Sequence, residues 1–186
     1  QHLSSVHYYV EEPSRQVISH HFCAHLNEDF RQCLIYDGNS NDSRLIGVEY
    51  IISGAQFSSL PENEKQYWHS HQYEVCSGIL TMPGLVPDTL ELAELRKLKD
   101  TYGKTWHFWQ VDRGDPLPYG PAKLMGSFTA DGQVNTQLLE KMDITNGGDK
   151  FVSRRECRTK KGLFLDPLSL NPNADKFKGY SESRIG

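Results

Sequence analysis

The apolar residues of this chain fall into short runs separated by turn-forming residues, a pattern that predicts strands more often than helices. The strongest run covers residues 44–53, and a shorter one covers residues 32–36. The segment 37–42 between them is dense in Asp, Asn, Gly and Ser, so the two runs are predicted to form a β-hairpin. Further strands are predicted at 17–26, 78–82, 105–112 and 122–129.

A different periodicity, with apolar residues three or four apart, predicts one clear helix. Asp88 provides a start signal with Glu91 three residues later, and Leu92, Leu95, Leu98 and Tyr102 form an apolar stripe. Gly103 is expected to end this helix, which we interpret as core scaffold. Shorter helices are predicted at 62–68 and 134–143.

The order of elements favours an α+β fold with a largely antiparallel sheet, a few helices and a C-terminal extension. We predict an N-terminal arm at 1–16, a single His-rich α+β domain at 17–144 and a peripheral C-terminal extension at 145–186. The sequence has no glycine-rich phosphate loop and no Gly-x-Ser-x-Gly elbow, so nucleotide binding and serine hydrolysis lack support.

The composition argues against two classes of partner, nucleic acid and the membrane interior. The 186 residues carry a formal net charge of −4, which argues against nucleic acid as the main partner. The mean hydropathy is −0.60, and no apolar run approaches a membrane span, so a soluble domain without a transmembrane segment is expected. The oligomeric state stays open. Because the sequence starts at Gln1 rather than Met, secretion also stays open.

The four cysteines, at positions 23, 33, 76 and 157, form no Cys-x-x-Cys pair. Their spacing favours free thiols in a reducing compartment over a disulfide framework or a zinc ribbon. Cys23 lies between His21 and His25, and Cys76 follows Glu74 by two residues, so either could supply a thiolate ligand to a metal. A small buried side chain is the more common role for such residues.

Two histidine clusters are the main chemical signal. On a strand, His69 and His71 point to the same face, and His21 and His25 share a face on either a strand or a helix. Imidazole and carboxylate groups together suit a divalent transition metal such as iron, zinc or copper. The spacing therefore predicts one metal ion with His21, His25, His69, His71 and Glu74 as ligands.

Three residues are candidates for catalytic roles beside such an ion. Glu49 lies in the middle of an apolar strand, where a carboxylate is costly unless it is paired or metal-bound. Glu74 follows His71 by three residues and could act as a ligand or handle protons. His107 lies in a strand predicted to be buried. The alternative interpretation is that these histidines make local hydrogen bonds and cap a core.

Four blocks of sequence, at 20–29, 45–53, 68–75 and 102–115, resemble the oil body-associated protein family. The resemblance covers about residues 18–140, and the C-terminal extension falls outside it. It implies association with seed oil bodies for plant members and no established chemistry for the family at large.

Three functional hypotheses follow. The first is a small metal-dependent enzyme, in which a mononuclear site activates water or dioxygen on a small-molecule substrate. The second, implied by the resemblance, is a lipid-droplet-associated structural protein. The third is a binding module for a small ligand. The expected location is the cytoplasm or the lipid-droplet surface.

Overall fold

The computed structural model describes residues 1–84, 88–148 and 151–177. Seven strands are present in this part of the chain: β1 (His2–Tyr9), β2 (Glu12–Asn27), β3 (Phe30–Tyr36), β4 (Leu45–Ser53), β5 (His69–Ser70), β6 (Thr101–His107) and β7 (Lys123–Gly126). Six α-helices accompany them: α1 (Gly54–Ser59), α2 (Glu62–Lys65), α3 (Gln72–Ser77), α4 (Asp88–Lys99), α5 (Thr136–Thr145) and α6 (Phe151–Lys160).

Six antiparallel strands form a closed sheet. Their order is β4-β3-β2-β1-β7-β6, and β6 also pairs with β4, which completes the ring. The short strand β5 pairs with the edge of β6 that β7 occupies further along, through His69 opposite Gly103 and Ser70 opposite Tyr102. The predicted α+β class with an antiparallel sheet is confirmed, and the predicted hairpin is the pair β3–β4. Closure of the sheet was not predicted.

Alternation along the strands decides which side chains enter the closed sheet, because successive residues point to opposite faces. On β1 the inward residues are Leu3, Ser5, His7 and Tyr9. On β2 the inward series runs through 17, 19, 21 and 23, and all four are buried. The ends of each series are apolar and the middle positions are polar, so the interior contains a polar layer between two apolar ones.

The two apolar layers form the core at either end of the closed sheet. One contains Leu3 and Ile51, packed under α4 through the buried residues Leu95 and Leu98. The other contains Tyr9, Val17, Ile35, Ile46 and Met125. The polar layer between them is held in place by hydrophobic packing on both sides.

The structure corrects the prediction for residues 1–16, and it shows ordered contacts in the part of the predicted C-terminal extension that it describes. Residues 1–16 are not an arm: His2–Tyr9 is strand β1, paired with β2 and β7, and Glu12 begins β2. In the predicted peripheral extension, Arg158 of α6 is buried and donates to the backbone carbonyl of Val75 at 2.6 Å. Residues 149–150 and 178–186 of that extension lie outside the described residues.

Two element boundaries also differ. The helix predicted at 88–102 ends at Lys99, and Tyr102 and Gly103 belong to β6. Tyr102 stacks instead on Phe57 of α1, with ring centroids 4.0 Å apart. The strand predicted at 78–82 is reduced to a single bridge between Thr81 and Ser4. Both differences follow from pairing with β1 and β4, which local periodicity does not report.

A disulfide joins Cys23 of β2 to its register partner Cys33 of β3. The expectation of four free thiols is therefore wrong for these two, and Cys23 is not available as a thiolate ligand. Cys76 is free and buried, and burial raises the pKa of its thiol, which disfavours the thiolate that binds metals.

Candidate metal centre

Histidine and carboxylate side chains from four separate elements meet in the polar layer. His21 comes from β2, Glu49 from β4 and His69 from β5, while His71 immediately precedes α3 and Glu74 lies within it. None of the five is more than 3% exposed. Burying this many ionisable groups is costly unless they are paired with one another or with a metal.

Glu49 is the centre of the group. Its Oε1 atom lies 3.3 Å from His69 Nε2 and 3.4 Å from His71 Nε2, and its Oε2 atom lies 2.8 Å from His21 Nδ1. Donor atoms that share one tetrahedral ion at about 2.0–2.1 Å are about 3.3–3.4 Å apart. The spacing around Oε1 therefore matches the spacing of ligands around an ion.

The contact angles and the unsatisfied polar atoms support the same interpretation. His21 Nδ1 and Glu49 Oε2 are close enough to interact, yet their angles do not satisfy a hydrogen bond. Both ring nitrogens of His69 are fully buried with no hydrogen-bond partner among the described residues. Buried polar atoms are nearly always satisfied, so these atoms point to a partner other than protein.

The hydrogen bonds of His71 define its tautomer. Thr101 Oγ1 donates to the carbonyl oxygen of Leu98 at 2.7 Å, so its single hydroxyl proton is already used. It lies 2.8 Å from His71 Nδ1 and must accept from it. Nδ1 therefore carries the proton, and Nε2 presents its lone pair toward Glu49. Outer partners of this kind commonly orient metal-binding histidines.

Gly103 leaves open the space where the donor atoms converge. A Cβ at this position would lie 2.3 Å from Glu49 Oε1 and 2.7 Å from both His69 Nε2 and His71 Nε2. Any larger residue would fill this space. Gly103 lies opposite His69 in the β5–β6 pairing, so the backbone register places the glycine at the site.

Glu74 borders the same space, but one of its two carboxylate oxygens already accepts hydrogen bonds. Its Oε2 atom accepts hydrogen bonds from Ser5 Oγ and Ser127 Oγ, both at 2.7 Å. Its Oε1 atom lies 3.7 Å from His71 Nε2. Two hydroxyl donors stabilise the carboxylate and leave Oε1 available toward the histidines.

Charge interactions favour ionised Glu49. Burial alone would raise the pKa of Glu49, but its electrostatic interactions with the neighbouring rings of His21, His69 and His71 hold it well below its usual range. Burial likewise acts to lower the pKa of His69, and Glu49 raises it above its ordinary value. Thr105 Oγ1 adds a hydrogen bond to Glu49 Oε1 at 2.9 Å.

Two sequence candidates lie apart from this group. His25, predicted as a ligand, is exposed on the other side of β2's disulfide and contacts Gln1 Oε1 at 3.1 Å. His25 keeps its regular pairing with Arg31 and so shares a face with His21, but it lies beyond Cys23 near the end of β2, where its side chain is exposed. His107 is fully buried, but its Nε2 atom pairs with His7 Nδ1 at 3.2 Å rather than with Glu49.

His7 is the residue that the sequence interpretation missed. It lies on β1, 1% exposed, and its ring centroid is 4.8 Å from that of His21. Burial and the charges of neighbouring histidines lower its pKa well below the ordinary value, and burial lowers the pKa of His107 to about 3. The alternation of Leu3, Ser5, His7 and Tyr9 was the available signal, but the segment was interpreted as an arm.

Residues 166–175, near the C-terminal end of the described chain, hydrogen-bond to the segment that carries His69 and His71. Asp175 accepts from the backbone N–H of Ser70 at 2.9 Å and from its hydroxyl at 2.7 Å. Gln72 donates to Ser169 Oγ and accepts from the backbone N–H of Asp166. Both contacts lie in the part of the predicted extension that the structure describes, so this part supports the site.

Fold and site together define the chain as an antiparallel closed-sheet domain whose interior holds a histidine and carboxylate cluster. Comparison with known proteins then gives the family. A family model described as a protein of unknown function (DUF1264) matches residues 1–161. The match extends beyond the 18–140 range that the resemblance covered.

Curated relatives agree with this assignment. The chain is 51% identical to oil body-associated protein 1A of Zea mays over 158 residues, covering 85% of the chain and 66% of the relative. It is 49% identical to oil body-associated protein 1B of Arabidopsis thaliana over 176 residues, covering 94% and 71%. The chain belongs to the oil body-associated protein family, and it spans about two thirds of the length of these relatives.

No solved structure matches the chain. Within the described residues, none of the helices combines the length and apolar character needed to cross a membrane.

Proposed function

We propose that this chain is a metalloprotein that binds a divalent transition metal ion through Glu49, His69 and His71. His21 and Glu74 border the same position. The main support for this proposal is that Glu49 Oε1, His69 Nε2 and His71 Nε2 converge on the space left open by Gly103. Imidazole with carboxylate suits zinc, iron or copper.

A metal-dependent enzyme is the class that best fits such a donor set. Three protein ligands leave coordination positions for water or another small molecule, and the bound ion would supply activated water or dioxygen. Thr101 holds the His71 ring in its metal-binding tautomer, and Thr105 orients Glu49. Glu74 Oε1 is the neighbouring oxygen that would hold a proton for a small-molecule substrate.

Metal analysis of protein purified without a metal-affinity tag tests the proposal. We expect at least one equivalent of zinc, iron or copper per chain, measured by inductively coupled plasma mass spectrometry. His69→Gln should weaken binding at least about 10-fold, because it removes a donor atom. His25→Gln is the matched control, since His25 is exposed and outside the site. A wild-type chain that binds no metal after reconstitution would contradict the proposal.

We also propose that the chain associates with lipid bodies, as the names of its relatives indicate for those proteins. One segment offers a suitable surface: Phe164, Leu165 and Leu168 are 58%, 43% and 97% exposed. Apolar side chains exposed together commonly mark an interaction surface.

Flotation with protein-free triglyceride droplets tests this second role. The wild-type chain should float with the droplets, and replacing the three residues by Ser should reduce the floating fraction. Leu90→Ser, at a residue 60% exposed on α4, is the control for general loss of apolar surface. Equal flotation of all three proteins would exclude this segment, and no flotation of the wild type would contradict direct association.

A further inference from the structure

We infer that the polar layer holds two divalent metal ions, with Glu49 as the carboxylate shared between them. The inference rests on the proposed metal site and adds a second position to it. The second position would be formed by His7, His21 and Glu49.

The donor atoms of the polar layer form two triads. One comprises Glu49, His69 and His71, and the other comprises Glu49, His7 and His21. Within each triad the donor atoms all lie within 4.8 Å of one another, and all members are buried. Glu49 is the member common to both.

The two oxygens of Glu49 face different triads. Oε1 is near His69 and His71, at 3.3 and 3.4 Å, whereas Oε2 is near His21, at 2.8 Å. A carboxylate can bind one ion through each oxygen, whereas a histidine nitrogen binds only one. This arrangement of donors on opposite oxygens is what a shared carboxylate requires.

The ring positions also separate the triads. The rings of His7 and His21 have centroids 4.8 Å apart, and those of His69 and His71 are 5.1 Å apart. The centroids of His7 and His69, one from each triad, are 6.1 Å apart. Pairs of ions in known two-metal sites are about 3.5–4 Å apart, a distance that fits between two such groups.

His7 has an outer partner that suits the role of a ligand. Its Nδ1 atom pairs with His107 Nε2 at 3.2 Å, and when Nδ1 donates, Nε2 of His7 presents a lone pair. His21 Nε2 is near Ser19 Oγ at 3.0 Å, which leaves Nδ1 directed to the Glu49 side. His21 Nδ1 and Glu49 Oε2 both lack a hydrogen bond among the described residues.

Metal stoichiometry of the purified chain tests the inference. After reconstitution with Zn²⁺ and removal of loosely bound metal, we expect about two equivalents for the wild type. His7→Gln and His71→Gln should each retain about one, because each removes a donor from a different triad. His25→Gln should retain two. Wild type and His7→Gln both saturating at one equivalent would overturn the inference while leaving the proposed function intact.

A measurement on the wild type alone covers the case in which His7→Gln does not fold. In the Cu²⁺-loaded chain, two ions that share a carboxylate should couple magnetically. The electron paramagnetic resonance signal should then integrate to clearly fewer spins than copper atoms. One copper per chain with a full spin count would overturn the second position, and failure to bind Zn²⁺ or Cu²⁺ at all would overturn the proposed function itself.

Discussion

Replacing Gly103 by Ala is the most direct perturbation of the site, because it adds a single methyl group where the donor atoms converge. The new Cβ would lie 2.3 Å from Glu49 Oε1 and 2.7 Å from two histidine nitrogens, and Cβ contacts under 3.0 Å essentially never occur. All three donor atoms must therefore retreat. Gly103 is in a strand, and Ala is accepted there without backbone strain, so the effect is steric.

The displacement can be compared with what a metal tolerates. Glu49 Oε1 must move from 2.3 Å to beyond 3.0 Å from the new carbon. Metal–ligand distances vary by only about 0.2 Å in well-formed sites. Changing a residue that only orients a metal ligand costs about 10–100-fold in metal affinity. We expect the Gly103→Ala chain to lose at least as much, because all three ligands are displaced. Overpacking should also lower the free energy of unfolding of the metal-free chain by about 1–3 kcal/mol.

Competition titration with a chromophoric chelator measures the Zn²⁺ affinity, and urea unfolding of the metal-free proteins measures stability. Gly54→Ala is the matched control: its Cβ would first meet the Asp100 carbonyl oxygen at 3.3 Å, outside the site. A Gly103→Ala chain that binds Zn²⁺ as tightly as the wild type would refute the argument that the three donor atoms share this space.

Three further outcomes are expected. Removal of metal by a chelator should lower the melting temperature of the wild type by about 5–10 °C, since an ion present at 100 times its Kd contributes about 2.7 kcal/mol. Glu49→Gln should abolish this difference. An unchanged wild-type melting curve after chelation would contradict the proposed metal site. Leu95→Ala should cost about 2–5 kcal/mol in urea unfolding because Leu95 is fully buried, whereas Leu90→Ala, at an exposed position, should be near neutral. Cys33→Ser, which removes a disulfide that closes a short loop, should cost up to about 3 kcal/mol relative to Cys157→Ser, and equal stabilities under non-reducing conditions would show that the bond does not form.

The sequence pattern was sufficient for those features that depend on neighbouring residues. The hairpin of β3 and β4 follows from two apolar runs and a turn, and the buried stripe of α4 follows from helical spacing. The proximity of His69 and His71, and the position of Glu49 beside them, could also be expected, since a carboxylate in an apolar strand needs a partner.

The remaining features depend on long-range pairing. β1 pairs with both β2 and β7, and only this position makes His7 an interior residue. His25 was expected beside His21, but it lies near the end of β2, beyond the disulfide at Cys23, where its side chain is exposed. Gly103 reads as a helix stop in the sequence, yet it is a strand residue whose missing side chain opens the site.

The polar layer also has a consequence for how the chain folds. Its members come from the first strand, from the middle of the chain and from α3, and Asp175 holds the motif from near the other end of the described residues. Contacts between residues far apart in sequence form late, because closing long loops costs entropy before any contact is gained. The proposed metal ion would therefore bind tightly only after nearly the whole chain has assembled. The rate at which the metal signal appears during refolding would then report completion of the native state rather than its nucleation.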